Sequence, residues 1–230
     1  MEPAGSSSGA RLAFDEPSGD RFLYAGWTVD PPARLPVVRR SDERVRMIAR
    51  CCEYARVAEK RTGASSATVF ETEVMPPLPG TPRYDVLMLL RVHSQQELAR
   101  EVAEVRDLAP DFTMAARNSR RIGDTDRTHD ATFLFNHFAA QRSDAAMAGF
   151  EQVAGWFPDK LGVDNATLLE PDDQEGAPYV FVNYVRVPGG ARRFLLGMLL
   201  RPSFHTRVRR ILRSHHMQAL PLLAKPVRCG

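Results

Sequence analysis

Residues 131–139, ATFLFNHFA, decide how this chain folds. Phe133, Phe135 and His137 alternate with Leu134, Asn136 and Phe138, so a strand here is apolar on both faces and needs cover on both. A strand of the same kind stands at 22–29, FLYAGWTV, ended by Asp30-Pro31-Pro32. Similar elements follow each of them. Behind the first, Val45, Ile48, Ala49, Cys52, Ala55 and Val57 fall at helical spacing over 42–61, with Ser41 as N-cap and Gly63 as stop. Arg44 stands where a full capping box would carry Glu or Gln. Strands are expected at 67–74 and 84–92 around the proline-broken loop MPPLPGTP, and Ser94 with Glu97 opens a helix over 95–108. Behind the second, a helix is expected over 143–161 and strands at 166–170 and 179–187 around PDDQEGAP. A helix then starts at Ala191, is broken by Pro202, and resumes from about Phe204 to Leu220.

The two series match in residues as well as in order. Phe22-Leu23-Tyr24 answers Phe133-Leu134-Phe135, and Ala67-Thr68-x-x-Glu71 answers Ala166-Thr167-x-x-Glu170. Met88-Leu89-Leu90-Arg91-Val92 answers Asn183-Tyr184-Val185-Arg186-Val187. Three matches in one order indicate an internal repeat. The expectation is an α+β fold of two tandem ferredoxin-like βαββα repeats, 21–108 and 131–230. Residues 1–20 read as a flexible tail and 109–130, rich in Arg and Asp and without periodicity, as a connection. Helices cover one face of each antiparallel sheet, so the bare faces should pack together within the chain.

The 230 residues, 43% hydrophobic and 26% charged, are ordinary for a soluble domain with a sizeable core. Net charge is only +3 and arginine is spread along the chain, so no nucleic-acid partner is expected. No apolar run nears the roughly 20 residues of a membrane span, so no membrane partner is expected either. The first twenty residues lack the pattern of a signal peptide. Cys51, Cys52 and Cys229 have no metal-ligand spacing and read as plain thiols in a reducing cytoplasm, the expected location. The sequence has no Gly-x-Gly-x-x-Gly after a strand, no P-loop, no His-Glu-x-x-His, no Cys-x-x-Cys and no Gly-x-Ser-x-Gly. His215 and His216 are no metal pair, because adjacent helical residues diverge by about 100°.

Two tandem ferredoxin-like units with facing sheets resemble the dimeric α/β-barrel superfamily, in a form with both protomers fused. The second half carries the likeness to its antibiotic-biosynthesis monooxygenases. Phe135-Asn136-His137-Phe138 resembles their first strand, Phe150-Glu151 a Phe-Glu pair of their first helix, and Val182-Asn183-Tyr184 the Val-Asn-Tyr strand of anthrone oxygenases. In those enzymes the Asn, a Trp four residues on and an Arg of the last helix surround a phenol. Asn183 matches the Asn and Arg209 the Arg, but Val187 stands in place of the Trp. The fused form resembles the oxygenases that open the B ring of angucyclines in jadomycin, gilvocarcin and kinamycin pathways. That likeness implies O2 with either no tightly bound cofactor or reduced FAD or FMN as co-substrate, a flavin reductase as partner, and a homodimer. A haem-using branch is a further alternative: Asn136 resembles an Asn on its first strand, but His205 does not match its ligand spacing.

The implied chemistry needs an apolar slot and groups that favour a phenolate. Asn183, Asn136, His137 and Arg209 are the candidate catalytic residues: amide donors, a base and a cation. Tyr24, Trp27, Phe135, Trp156, Phe181 and His216 are the candidate substrate-binding residues, with Phe138 as a further wall and His216 as a second base. Bland readings stand beside them: a satisfied core histidine for His137, a solvated helix face for Arg209, core packing for both tryptophans, structural hydrogen bonds for the asparagines. A non-oxidative cyclase, isomerase or polyphenol-binding protein would use the same pocket. Met88 stands where Asn183 sits, so a single site in 131–230 is expected.

Overall fold

The computed structural model describes residues 13–30, 38, 41–62, 66–125 and 130–229. The first half runs β1 (Arg21–Trp27), α1 (Asp42–Thr62), β2 (Ser66–Val74), β3 (Val86–Val92), α2 (Gln95–Glu104), a 3₁₀ turn Val105–Leu108, and β4 (Phe112–Ile122). The second runs β5 (Thr132–Ala139), α3 (Ser143–Ala154), α4 (Trp156–Leu161), β6 (Ala166–Pro171), β7 (Phe181–Val187), α5 (Gly190–Leu199), a π-helical stretch Phe204–Val208, α6 (Arg209–Ser214) and β8 (Gln218–Pro226). The strands close into an antiparallel barrel in the order β1-β3-β2-β8-β5-β7-β6-β4. Each half contributes four neighbours, β4-β1-β3-β2 and β8-β5-β7-β6, and the halves join edge to edge at β2–β8 and β4–β6. Closure removes every exposed strand edge. The result is the dimeric α/β-barrel arrangement expected, built within one chain.

Two strands correct the βαββα reading to βαββαβ. β4 lies in the stretch read as a connection. Its burial alternates at Met114, Ala116 and Asn118, but Arg117 and Arg120, which pair with Glu170 and Glu151, hide that alternation from a hydropathy reading. β8 lies where helix was expected to reach Leu220, and Pro221 disguises it. Both supply the seams that close the barrel. The expected helix 143–161 is broken at Gly155 into α3 and α4. Part of the expected tail is docked: Asp15 N donates to Arg121 O, Ser18 N to Asn118 Oδ1, and Phe14 packs on Phe150. Residues 1–12 lie outside the described residues.

The period of two along each strand divides the core. Phe22, Tyr24, Phe70, Phe133, Phe135, Val182 and Tyr184 point into the barrel and fill it. On the outside of the first half, Leu23, Ala25, Trp27, Met88 and Leu90 pack against Ile48, Cys51 and Ala55 of α1 and Leu98 of α2. α2 carries the capping box expected of Ser94 and Glu97. At the start of α1, Arg44 is fully buried and its Nε lies 3.0 Å from Asp85 Oδ2, while Asp85 also accepts from Val29 N and Asp30 N. The missing capping-box Glu is thereby explained: the position serves a buried ion pair.

The cysteine expectation is overturned. Cys52 of α1 forms a disulfide with Cys229, tying the end of the chain to the first half across 177 residues. Sequence spacing could not show this, because the pair meets only once β8 is placed beside β2. Cys51 is the free cysteine, and burial pushes its thiol up to about 12. Among the described residues no helix is long and apolar enough to cross a membrane.

Candidate functional site

A cavity of about 600 Å³ lies between the outer face of the second half's sheet and the helices that cover it. Leu134, Asn136 and Phe138 of β5 and Asn183 and Val185 of β7 form its floor. Phe150, Val153 and Ala154 of α3, Phe194 and Met198 of α5, and Leu212 of α6 form its roof. The loop Pro76–Pro79 of the first half closes one side, held by Gln218 Nε2 donating to Pro79 O. At Gly149 of α3 a Cβ would come within 2.6 Å of Met217 Sδ and 2.9 Å of His215 Cγ, so a larger residue would have to push these side chains aside.

Asn136 and Asn183 are direct cross-strand partners in the β5–β7 register. Side chains of opposed residues on one face stand about 5 Å apart. Both Oδ1 atoms are sealed from solvent and have no hydrogen-bond partner. A buried polar atom without a partner costs about 1–3 kcal/mol, so the two sealed oxygens make this apolar floor a costly place for asparagine, while the rest of each half-buried side chain lines the cavity. Arg209 and Arg213 are exposed at the rim and also line the cavity. The π-helical stretch Phe204–Val208 immediately precedes Arg209, a feature common at functional sites because it shifts helical register by one residue. No carboxylate and no histidine lines the cavity among the described residues.

The sequence-derived candidates therefore divide by strand face. Asn136, Asn183, Arg209 and Phe138 are brought together. His137 is not among them: it points into the barrel, where Nδ1 lies 3.1 Å from Leu220 O and Nε2 lies 2.9 Å from Tyr24 Oη. A carbonyl only accepts, so Nδ1 carries the proton and Tyr24 O–H donates to Nε2. Burial holds His137 down to about 4 and pushes Tyr24 well above its usual range, so both are neutral. Phe135 stacks on Tyr24 at 5.3 Å in the same interior. Trp27 is core of the first half, its Nε1 donating to Leu108 O. Phe181 stands on the same sheet face beside its cross-strand partner Phe138, 4.8 Å away, and 5.6 Å from Phe150, but does not line the cavity. Trp156 packs on Phe204 and donates to Ser203 Oγ. His216 is exposed beyond α6 with φ 52° and does not line the cavity. Neither expected base reaches this space.

Sequence reading missed Phe194, Leu212 and the Pro76–Pro79 loop as walls. The loop's contribution has no sequence signal, since it comes from the other half. Asn165 was missed too, but its amide is spent on Arg186 N and Arg186 O at 2.8 and 2.9 Å and is structural. In the first half, the residues matching Asn136 and Asn183 are Ala25 and Met88, which also face each other. Met88 is fully buried there, and the space is solid core.

Haem does not fit this cavity. Its usual single protein ligands are His, Cys or Tyr, and none lines the space among the described residues. His205 lies outside it, its Nε2 2.8 Å from Leu199 O. A reduced flavin has no polar set of its own here, because the available groups are the same asparagines and arginines that a substrate would use.

No protein-family model matches the chain, and no curated protein matches it by sequence. Solved structures resemble it over nearly full length. An anthrone oxidase-like protein superposes with TM-score 0.56 at 12% identity, covering 89% of this chain and 90% of that one. A mutant chlorite dismutase from Candidatus Nitrospira defluvii gives TM-score 0.51 at 9% identity, covering 94% of each chain. A protein assigned as a monooxygenase from Lactobacillus acidophilus gives 0.51 at 7% identity, covering 90% of this chain and 98% of that one. At such identities the likeness establishes the fold alone.

Proposed function

We propose that the protein is an oxygenase that uses O2 to oxidise a polycyclic phenol bound over Asn136 and Asn183. The observation that carries this reading is the facing pair Asn136 and Asn183 on the floor of a mostly apolar cavity. Flat aromatic rings suit the Leu134, Phe138, Phe150 and Val185 surfaces, and the Asn136 and Asn183 side chains are the polar groups of that floor. The amide N–H groups face oxyanions formed on the same rings. Arg209 and Arg213 at the rim favour the phenolate, which gives up an electron to O2 far more readily than the phenol. Among the described residues no base lines the cavity, so the phenolic proton leaves to water under the field of the arginines.

The reaction then balances without an outside reductant. At a ring CH2 activated by the aromatic system, one C–H proton leaves to water, the carbanion so formed gives its electron pair to O2, and the new C–O–O− takes up a proton to become C–OOH. Cleavage of O–O with loss of the remaining C–H proton leaves a carbonyl and releases water, so CH2 and O2 become C=O and H2O. The resemblance to anthrone oxygenases fits this outcome, and the likeness in fold to an anthrone oxidase-like protein supports it. An angucycline-type ring system is the narrower substrate reading, resting on the resemblance of the fused form.

The test is O2 uptake with naphthacene- and angucycline-type phenols, with and without a flavin reductase. Uptake without reductase, one water per O2, is expected. Strict dependence on reductase would replace the cofactor-free mechanism by one using reduced flavin. Product formation unchanged under anaerobiosis would sink the oxygenase reading altogether.

A further inference from the structure

All 28 acidic residues of the chain lie before residue 176, and the segment 176–230 has none. Most of its arginines lie on α5, on α6 and in the stretch between them. Arg192, Arg193, Arg207, Arg209 and Arg210 are exposed, and among the described residues none makes a side-chain hydrogen bond or ion pair. Elsewhere Arg21, Arg44, Arg61, Arg91, Arg117 and Arg120 are each paired with a carboxylate. Among the described residues, three of the six exposed large hydrophobic side chains lie on α5 and at its end. Leu196 is 57% exposed, Leu199 51% and Leu200 76%.

Helical spacing places these groups together. Arg192 and Arg193 precede Leu196 by four and three residues, and Leu199 and Leu200 follow it by three and four, so all five share one side of α5. The opposite side, Ala191, Phe194 and Met198, packs on the sheet and the cavity. Leu199, Arg209 and Arg213 both line the cavity and are exposed, so its opening shares this face.

We infer that this face docks on an anionic lipid membrane, the leucines entering the headgroup boundary and the arginines meeting lipid phosphates. Three features favour that occupant. Solvent-facing leucines beside unpaired arginines are the composition of an interfacial helix. A second copy would bring arginine against arginine with no carboxylate to separate them. A nucleic acid would leave the central leucines without a partner. No spanning helix is needed for such a contact, and a greasy ligand leaving the bilayer would meet the cavity opening directly. The inference concerns binding and holds whatever reaction the cavity performs.

Flotation of the full chain with phosphatidylcholine vesicles, with and without 30% phosphatidylglycerol, tests this. Binding to the anionic vesicles alone, weakened at 0.5 M salt, is expected. Arg192→Gln/Arg193→Gln should lower partitioning roughly thirtyfold, since each arginine near such a surface is worth about fivefold. Leu196→Ser/Leu200→Ser should lower it roughly tenfold or more. These four positions are exposed and do not line the cavity, so melting curves should match the parent, and either pair suffices if the other misfolds. Absence of binding, or full binding by the leucine variant, would overturn the inference. So would tight binding to duplex DNA unaffected by the leucine changes, or a dimer in light scattering that the leucine changes dissolve without any vesicle binding.

Discussion

Replacing Asn183 by leucine should make the protein more stable and nearly inactive. The two side chains share branching and heavy-atom count, leucine being the bulkier, so Asn183→Leu removes a sealed, partnerless amide oxygen without opening a cavity. An unsatisfied buried polar atom costs about 1–3 kcal/mol, and leucine suits the floor formed by Leu134 and Val185. For a chain of this size each kcal/mol moves the melting temperature by about 2–4 °C. The expected rise is therefore about 2–10 °C by calorimetry. Loss of one preorganised donor at a developing oxyanion lowers kcat by about a hundredfold or more, read as O2 uptake with a phenolic substrate. Asn136→Leu should behave alike, and the double variant should fall short of the sum because the two residues face each other. The reasoning is refuted if Asn183→Leu melts several degrees lower, which would mean that the amide holds the fold. It is refuted equally if activity survives at Asn183 while changes at Tyr24 or Trp27 abolish it.

The mirrored substitution should do the opposite: Met88→Asn puts an amide into solid core and should cost about 4 kcal/mol or more, seen as a shift in denaturant midpoint. His137 is held near 4 by burial against an ordinary value of 6.5. The unfolded chain binds this proton first, so its contribution of about 3 kcal/mol is complete above pH 6.5 and is lost as pH falls toward 4. Stability against pH should flatten in that window for His137→Gln. Reducing the Cys52–Cys229 bond should lower stability by up to about 5 kcal/mol on loop-closure arguments for a 177-residue separation, and an unchanged melt with reductant would contradict this. Arg44→Met, which strands the buried Asp85 carboxylate, should cost about 3–5 kcal/mol, and Arg44→Met/Asp85→Leu should recover part of it.

The α+β class and the antiparallel strands around a shared interior were legible in sequence because they rest on local properties. A strand such as 131–139 with apolar residues on both faces states that both must be buried, and prolines and caps mark the ends of the elements. The contrast between Asn183 and Met88 was legible too, since matched strings put them at one structural position. β4 and β8 were not: arginines on one and a proline on the other mask a period of two, and what makes them strands is pairing with partners a hundred or more residues away.

The composition of the site was decided only in three dimensions. Asn136 and His137 are neighbours in the chain and were both candidates, yet a strand sends them to opposite sides of the sheet, one to the cavity and one to the barrel interior. Which side holds open space depends on the helices above it. Over the first half they pack solidly on Ala25 and Met88; over the second they stand off two asparagines. The disulfide and the unpaired arginine face of α5 and α6 have the same origin. Residues distant in the chain, or charges without nearby opposites, become neighbours only when the barrel closes. Sequence alone thus determined the layers and the residues available for chemistry, and tertiary packing decided which of them meet.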